Sequence, residues 1–168
     1  ETLPANILPV MAYSMSKAFT IYGMRCGAAI CLAPTKEIAD EFRRVCEFSS
    51  RGSWSNCAKA GQSIIANIYE NEDLLKKVTE ERKEIREMLL KRGKAFEEEA
   101  NRVGLEIVPF DAGFFVSIPC DNPDEVSAKL EKEGIFLVPL AKGLWVSVAS
   151  IPVEKCRRIP VKILEAMK

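Results

Sequence analysis

The sequence predicts an α/β fold. Three observations carry that expectation: two short apolar runs near the start, one long amphipathic segment in the middle, and strand-like runs alternating with helical ones in the second half. The apolar runs are Ile7 to Tyr13, interrupted by Pro9, and Gly27 to Ala33. Neither alternates apolar with polar residues, so both are expected to be strands buried in a sheet. Between them Ser14 to Arg25 is polar and reads as a loop, the kind of backbone by which a sheet presents chemistry.

Helical periodicity follows. Pro34-Thr35 opens a helix whose Ile38, Phe42, Val45 and Cys46 recur at helical spacing, with Thr35 as N-cap and Glu37 in the first turn. Ser49 to Asn56 is polar and predicts a second loop. From Cys57 onward, Gly61, Ile64, Ile65 and Ile68 predict another helix, whose small-residue face lets a neighbour approach closely; Asn71 marks its end. Asp73 to Val103 is the longest periodic stretch. Leu74, Val78, Ile85, Leu89, Phe96, Ala100 and Val103 form its apolar stripe, and Gly104 its stop. Glu80, Glu81, Arg82, Lys83 and Glu84 belong to the solvated face. Gly93 interrupts good helix formers and predicts a bend or domain junction, which divides the chain into residues 1–92 and 93–168.

Beyond Gly104 the pattern shortens. Leu105 to Val108 and Phe114 to Ile118 read as strands around a turn at Pro109 to Gly113. Asn122-Pro123-Asp124-Glu125 is a helix start, with Asn122 as N-cap, Pro123 at the first helical position and Glu125 placed for a capping box; Gly134 ends that helix. Ile135 to Val138 and Leu144 to Ala149 are expected strands, and Val153 to Met167 a closing helix interrupted near Pro160. This half has the order and size of a compact α/β sandwich able to fold as its own unit.

Bulk composition narrows the functional classes. The chain has 168 residues, enough to bury a core, and its 24 basic and 24 acidic side chains cancel to a net charge of +0. Nothing in that balance suits a phosphate backbone or an anionic membrane, so neither nucleic acid nor membrane is an expected partner. The six cysteines include no C-x-x-C pair and there is no histidine, which argues against a structural zinc site and for reduced thiols in a cytoplasmic protein. No run of about 20 apolar residues is present. The chain opens on Glu1-Thr2-Leu3-Pro4 rather than on Met, which suggests that a segment precedes it.

The chemistry is concentrated between Ser14 and Gly27. A lysine at the end of a buried strand, Lys17, is costly to desolvate as an ammonium, and burial favours the neutral amine. A neutral amine is a nucleophile, able to form a Schiff base with an aldehyde and later to move a proton. Ser14 and Arg25 flank it with a hydroxyl and a guanidinium, a pair suited to a phosphate monoester. On its own S-x-S-K is unspecific; with Tyr22-Gly23, Arg25 and Gly27 it becomes a pattern.

That pattern resembles the pyridoxal-phosphate attachment motif of fold-type I, class I and II aminotransferases of the aspartate and aromatic kind. In the motif a serine precedes the lysine by three residues and an arginine follows it by eight, and both spacings occur here. The resemblance implies the C-terminal portion of the PLP-dependent transferase fold: the end of the large-domain sheet and the small α/β sandwich domain. It implies pyridoxal 5'-phosphate as cofactor, Lys17 as Schiff-base lysine and proton shuttle, and Ser14 and Arg25 as phosphate ligands. Amino acids and 2-oxo acids would be the substrates, and the assembly a homodimer. Arg51-Gly52-Ser53-Trp54-Ser55-Asn56 resembles the family loop R-x-x-Y-S-N, whose arginine binds a substrate's distal carboxylate across the dimer; Arg51 would do so here.

Two departures qualify the resemblance. In Gly143-Leu144-Trp145-Val146-Ser147-Val148-Ala149, Trp145 stands where the family has the arginine that grips the substrate α-carboxylate, and a tryptophan cannot replace that charge. Either another residue binds the carboxylate, the substrate is unusual, or ordinary transamination has been lost; Trp145 as plain core packing is the alternative. The family's pyridine-nitrogen aspartate, phosphate-binding turn and ring-stacking aromatic all lie further upstream of the lysine than the 16 residues before Lys17 allow. The segment alone is therefore expected to be inactive, a piece of a longer enzyme. A lyase or decarboxylase of the same fold, or a non-catalytic remnant serving dimerisation or ligand binding, are the competing readings.

Overall fold

A computed structural model describes residue 4 and residues 6–168. Glu1-Thr2-Leu3, on which the expectation of a preceding segment rested, lies outside the described residues. The fold is α/β, as the sequence predicts. It divides into two compact units, residues 1–82 and 83–168, where the sequence placed the junction between residues 92 and 93.

In the first unit β1 (Val10–Ser14) pairs antiparallel with β2 (Gly27–Cys31), in a register that sets Ser14 opposite Gly27 and Val10 opposite Cys31. The first strand begins after Pro9, which lacks an N–H; its carbonyl still accepts from Leu32 N at 3.0 Å. The segment between the strands is more ordered than a loop: it holds α1 (Met15–Ala18) and a 3-10 turn over Tyr22–Met24. The expectation of buried strands is corrected: Val10, Met11 and Ile30 are 50, 54 and 39% exposed. A ribbon of two strands has two faces to cover, and no further strand pairs with it among the described residues.

Three helices follow. α2 (Lys36–Trp54) starts where Thr35 Oγ1 accepts from Ile38 N at 3.4 Å, the expected N-cap. It then runs through the predicted loop at Ser49, because Ser53 Oγ donates back to Ser49 O at 2.8 Å and so settles its hydroxyl inside the helix. α3 (Lys59–Glu70) carries Gly61, at which a Cβ would stand 2.8 Å from Cys26 Cβ; the close approach expected of its small residues is made to the end of the β1–β2 connection. Asn71 ends α3 and also caps α4 (Glu72–Val103), its Oδ1 accepting from Leu74 N at 3.0 Å.

Gly93 marks no break: α4 is continuous through it, and a Cβ there would collide with the Phe110 ring. The glycine admits a ring where the sequence suggested a bend. In the second unit β3 (Phe115–Pro119), β4 (Val138–Leu140) and β5 (Gly143–Ser147) form an antiparallel sheet in the order β3-β5-β4. Burial alternates with the pleat: Val116, Ile118, Leu144 and Val146 are buried, whereas Phe115 and Trp145 point outward. The buried set joins Phe96 and Ala100 of α4, Val126 and Leu130 of α5 (Pro123–Glu131), and Cys156 and Ile163 of α6 (Val153–Ala166) in one core.

Other expectations here are corrected. Leu105 to Val108 is not a strand; Val108 N donates to Ser117 O at 2.9 Å without forming a ladder. Asn122 is the N-cap residue of α5 but its side chain makes no capping bond, so the capping box is absent. The strand expected from Ile135 begins at Val138, because Gly134 N and Ile135 N are committed to the last carbonyls of α5, Glu131 O and Leu130 O. Helix α6 is not interrupted: Pro160 forfeits one helical bond but its ring is fully buried in the core.

Candidate active site

Ser14 closes β1 and starts α1, its Oγ accepting from Ser16 N at 3.3 Å. Met15 N donates to Cys26 O at 3.1 Å, so the strand pairing passes directly into the short helix that carries Lys17. Phe19, 7% exposed, anchors this helix from below: its ring meets Tyr69 edge-on at 6.2 Å and lies under the Arg82 guanidinium at 5.1 Å. The chain then reverses at Thr20, whose φ is 54°, and again at Arg25, whose φ is 50°. Gly27 is required where β2 resumes, since a Cβ would fall 2.8 Å from Tyr13 O.

These reversals gather the cations. Lys17 Nζ lies 4.6 Å from the centre of the Tyr22 ring, and Arg25 Cζ lies 4.7 Å from the same centre. Arg25 Nη1 also donates to Tyr22 O at 3.0 Å. The amine, the guanidinium and the Ser14 hydroxyl thus belong to one folded segment. The expectation that Lys17 sits dry is corrected: Ser14, Lys17 and Arg25 are all exposed, for the same reason that β1 and β2 are. Tyr22, which the sequence marked only as motif spacing, is the residue that brings two of the three together; an aromatic five residues after one cation and three before another was the available signal.

Arg51 is not in a loop. It occupies the last turn of α2, and its Nη1 donates to Ser55 Oγ at 2.7 Å and to Ser55 O at 3.4 Å, closing the helix C-terminus. Trp145 belongs to the second unit, on the outward face of β5 opposite Ser117 and Val138, with its ring stacked on Phe115 at 5.2 Å. It is 38% exposed and therefore not a core residue. Among the described residues no cluster of three or more His, Cys, Asp or Glu side chains could hold a metal, and no helix is long and apolar enough to cross a membrane.

Comparison with known proteins supplies the context for this geometry. The family described as aminotransferase class I and II matches residues 5–163. The fold superposes on an aminotransferase from Anaerococcus prevotii with a TM-score of 0.92 and 36% identity, covering 99% of this chain and 40% of that one. An aromatic amino acid aminotransferase from Cutibacterium acnes is 28% identical over 127 residues, which is 76% of this chain and 32% of that protein. The broad-specificity aminotransferase of Leishmania mexicana shares the fold at a TM-score of 0.73 and 19% identity, over 94% of this chain and 39% of its own. The chain thus spans about two fifths of the solved structures it matches.

Proposed function

The chain belongs to the class I and II aminotransferase family, and from that premise we propose that it carries the cofactor-anchoring part of a pyridoxal-phosphate enzyme that moves an amino group between an amino acid and a 2-oxo acid. The observation that carries this reading is the convergence of Lys17 and Arg25 on one short segment, with Ser14 at its start. The donor set fits the cofactor: an amine for an aldehyde carbon, and a hydroxyl and guanidinium for a phosphate. Arg25 makes no ion pair among the described residues, so its charge is available to an anion.

Within this reading Lys17 is the covalent attachment point, and its Nζ takes and returns the proton at the substrate Cα. Ser14 and Arg25 hold the phosphate. When bound, pyridoxal phosphate supplies the electron sink that makes that Cα proton acidic. Arg51 reaches a substrate side chain across a homodimer, exchanging its bonds to Ser55 for a carboxylate. In this reading the enzyme is cytoplasmic.

Trp145 supports a second reading. Stacked on Phe115 at the register of the family's carboxylate-binding arginine, it offers no charge to an α-carboxylate. A decarboxylase, a lyase or a non-catalytic remnant of the same fold accommodates that loss more readily than an ordinary transaminase. The test is product balance. With an amino acid and an added 2-oxo acid, transamination gives one new amino acid per keto acid formed; keto acid with free ammonia identifies a lyase, an amine with carbon dioxide a decarboxylase, and no turnover by the full-length holoenzyme a remnant.

A further inference from the structure

Tyr22 is 61% exposed, so its ring contributes little to the core of its unit. It is nevertheless the common neighbour of the two cations at the candidate site, with Lys17 Nζ at 4.6 Å and Arg25 Cζ at 4.7 Å from its centre. Two like charges repel, and an arrangement that brings both to one ring needs a compensating attraction. The negative face of an aromatic ring provides it, more effectively than an aliphatic side chain of the same size.

The backbone of the same residue completes the hold. Arg25 has left-handed φ and ψ of 50° and 50°, a conformation that a non-glycine side chain adopts only when its surroundings require it. Arg25 N donates to Tyr22 O at 3.4 Å and Arg25 Nη1 donates to the same oxygen at 3.0 Å, so the main chain and the guanidinium are both folded back onto Tyr22. A guanidinium with one nitrogen tied to that carbonyl still presents its other N–H groups outward.

We propose that Tyr22 is a positioning residue whose ring sets the place of the Lys17 amine relative to the Arg25 guanidinium, and with it the distance between the attachment point and the phosphate seat. This rests on the reading of Lys17 and Arg25 as cofactor contacts. The ring carries the positioning in this proposal, since Lys17 Nζ and Arg25 Cζ lie 4.6 and 4.7 Å from its centre.

The experiment compares Tyr22→Phe, which keeps the ring, with Tyr22→Leu, which removes it, in the holoprotein. Pyridoxal phosphate affinity is read by fluorescence quenching, inorganic phosphate affinity by calorimetry, and attachment to Lys17 by borohydride trapping and peptide mass. Loss of the ring that holds both groups in place predicts that Tyr22→Leu weakens cofactor binding about 5- to 30-fold, while Tyr22→Phe stays within about twofold of wild type. Thermal unfolding shows that the Leu variant is folded; should it not be, Tyr22→Met at the same position is used. Wild-type affinity in the Leu variant, or an equal loss in the Phe variant, overturns the positioning role while leaving the cofactor reading intact. If the wild type attaches no pyridoxal phosphate but binds inorganic phosphate in a ring-dependent way, the cofactor reading falls and the positioning role stands; binding of neither overturns both.

Discussion

Lys17 Nζ lies 4.6 Å from the centre of the Tyr22 ring, although four intervening residues and a change of helix type separate them. The contact exists because Thr20 turns the chain with a φ of 54°, bringing the 3-10 turn over the preceding helix. A second reversal at Arg25 adds the guanidinium to the same ring.

Arg25 is expected to be the more sensitive of the two residues proposed to hold the phosphate. Arg25→Lys keeps a charge but loses the planar fork and the bond to Tyr22 O, and should weaken pyridoxal phosphate binding about tenfold or more, on the scale of about 1.5–3 kcal/mol for a hydrogen bond to a charged group. Ser14→Ala should cost less, and also loosen the start of α1, where the hydroxyl accepts from Ser16 N. Fluorescence titration of the cofactor measures both; an unchanged affinity in Arg25→Lys would remove Arg25 from the phosphate site.

Gly61 fixes how closely α3 approaches Cys26. In Gly61→Ala the new methyl would stand 2.8 Å from Cys26 Cβ, which forces a shift costing about 1–3 kcal/mol. Gly52 lies in α2 with open space around it, so Gly52→Ala should instead stabilise by about 0.5–1 kcal/mol. Urea denaturation of the two variants should move the midpoint in opposite directions.

Thr35 caps α2 and also acts on its neighbour's titration. The Glu37 carboxyl is held below its ordinary value of 4.5 by its own backbone N–H and by the Thr35 hydroxyl. A lowered carboxyl adds stability that is present above the unfolded value and lost as pH falls through the folded one. Thr35→Ala should cost about 1 kcal/mol through the lost N-cap, and should also make stability less steeply dependent on pH below 4.5. Unfolding curves between neutral and acid pH distinguish this from a loss that is uniform in pH.

Cysteine reactivity should rank by burial. Burial pushes the Cys156 thiol up, against the opposing charge of Arg92, and the residue is fully buried in the second unit's core. Cys46 and Cys57 are exposed. Under mild alkylation Cys46 and Cys57 should label first and Cys156 only when that unit unfolds; early labelling of Cys156 in the folded protein would contradict the packing of α6.

What the sequence made legible was local chemistry. Thr35 as a cap and Gly61 as a point of close approach could be read from residue type and spacing alone, whereas of the apolar stripe expected for α4 only Phe96 and Ala100 are buried and Leu74 is 41% exposed. The end of α2 was not, because the serine-rich stretch at Ser49 to Ser53 resembles a loop until the back-bond from Ser53 to Ser49 O is seen. Exposure of β1 and β2 was not legible either: an apolar run shows that a strand wants cover, not whether this unit supplies it. At the candidate site the spacing of Ser14, Lys17 and Arg25 was visible. The role of Tyr22 was hidden, because it depends on positive φ at Thr20 and Arg25, residues whose identity does not announce such a turn.

The most direct measurement of the account's central claim is chemical trapping at Lys17. Holoprotein incubated with pyridoxal phosphate and reduced with borohydride should carry the pyridoxyl group on the peptide containing Lys17, and Lys17→Ala should carry none and lose the visible cofactor absorbance. Retention of that absorbance in Lys17→Ala, or the label on a different lysine, would contradict the assignment.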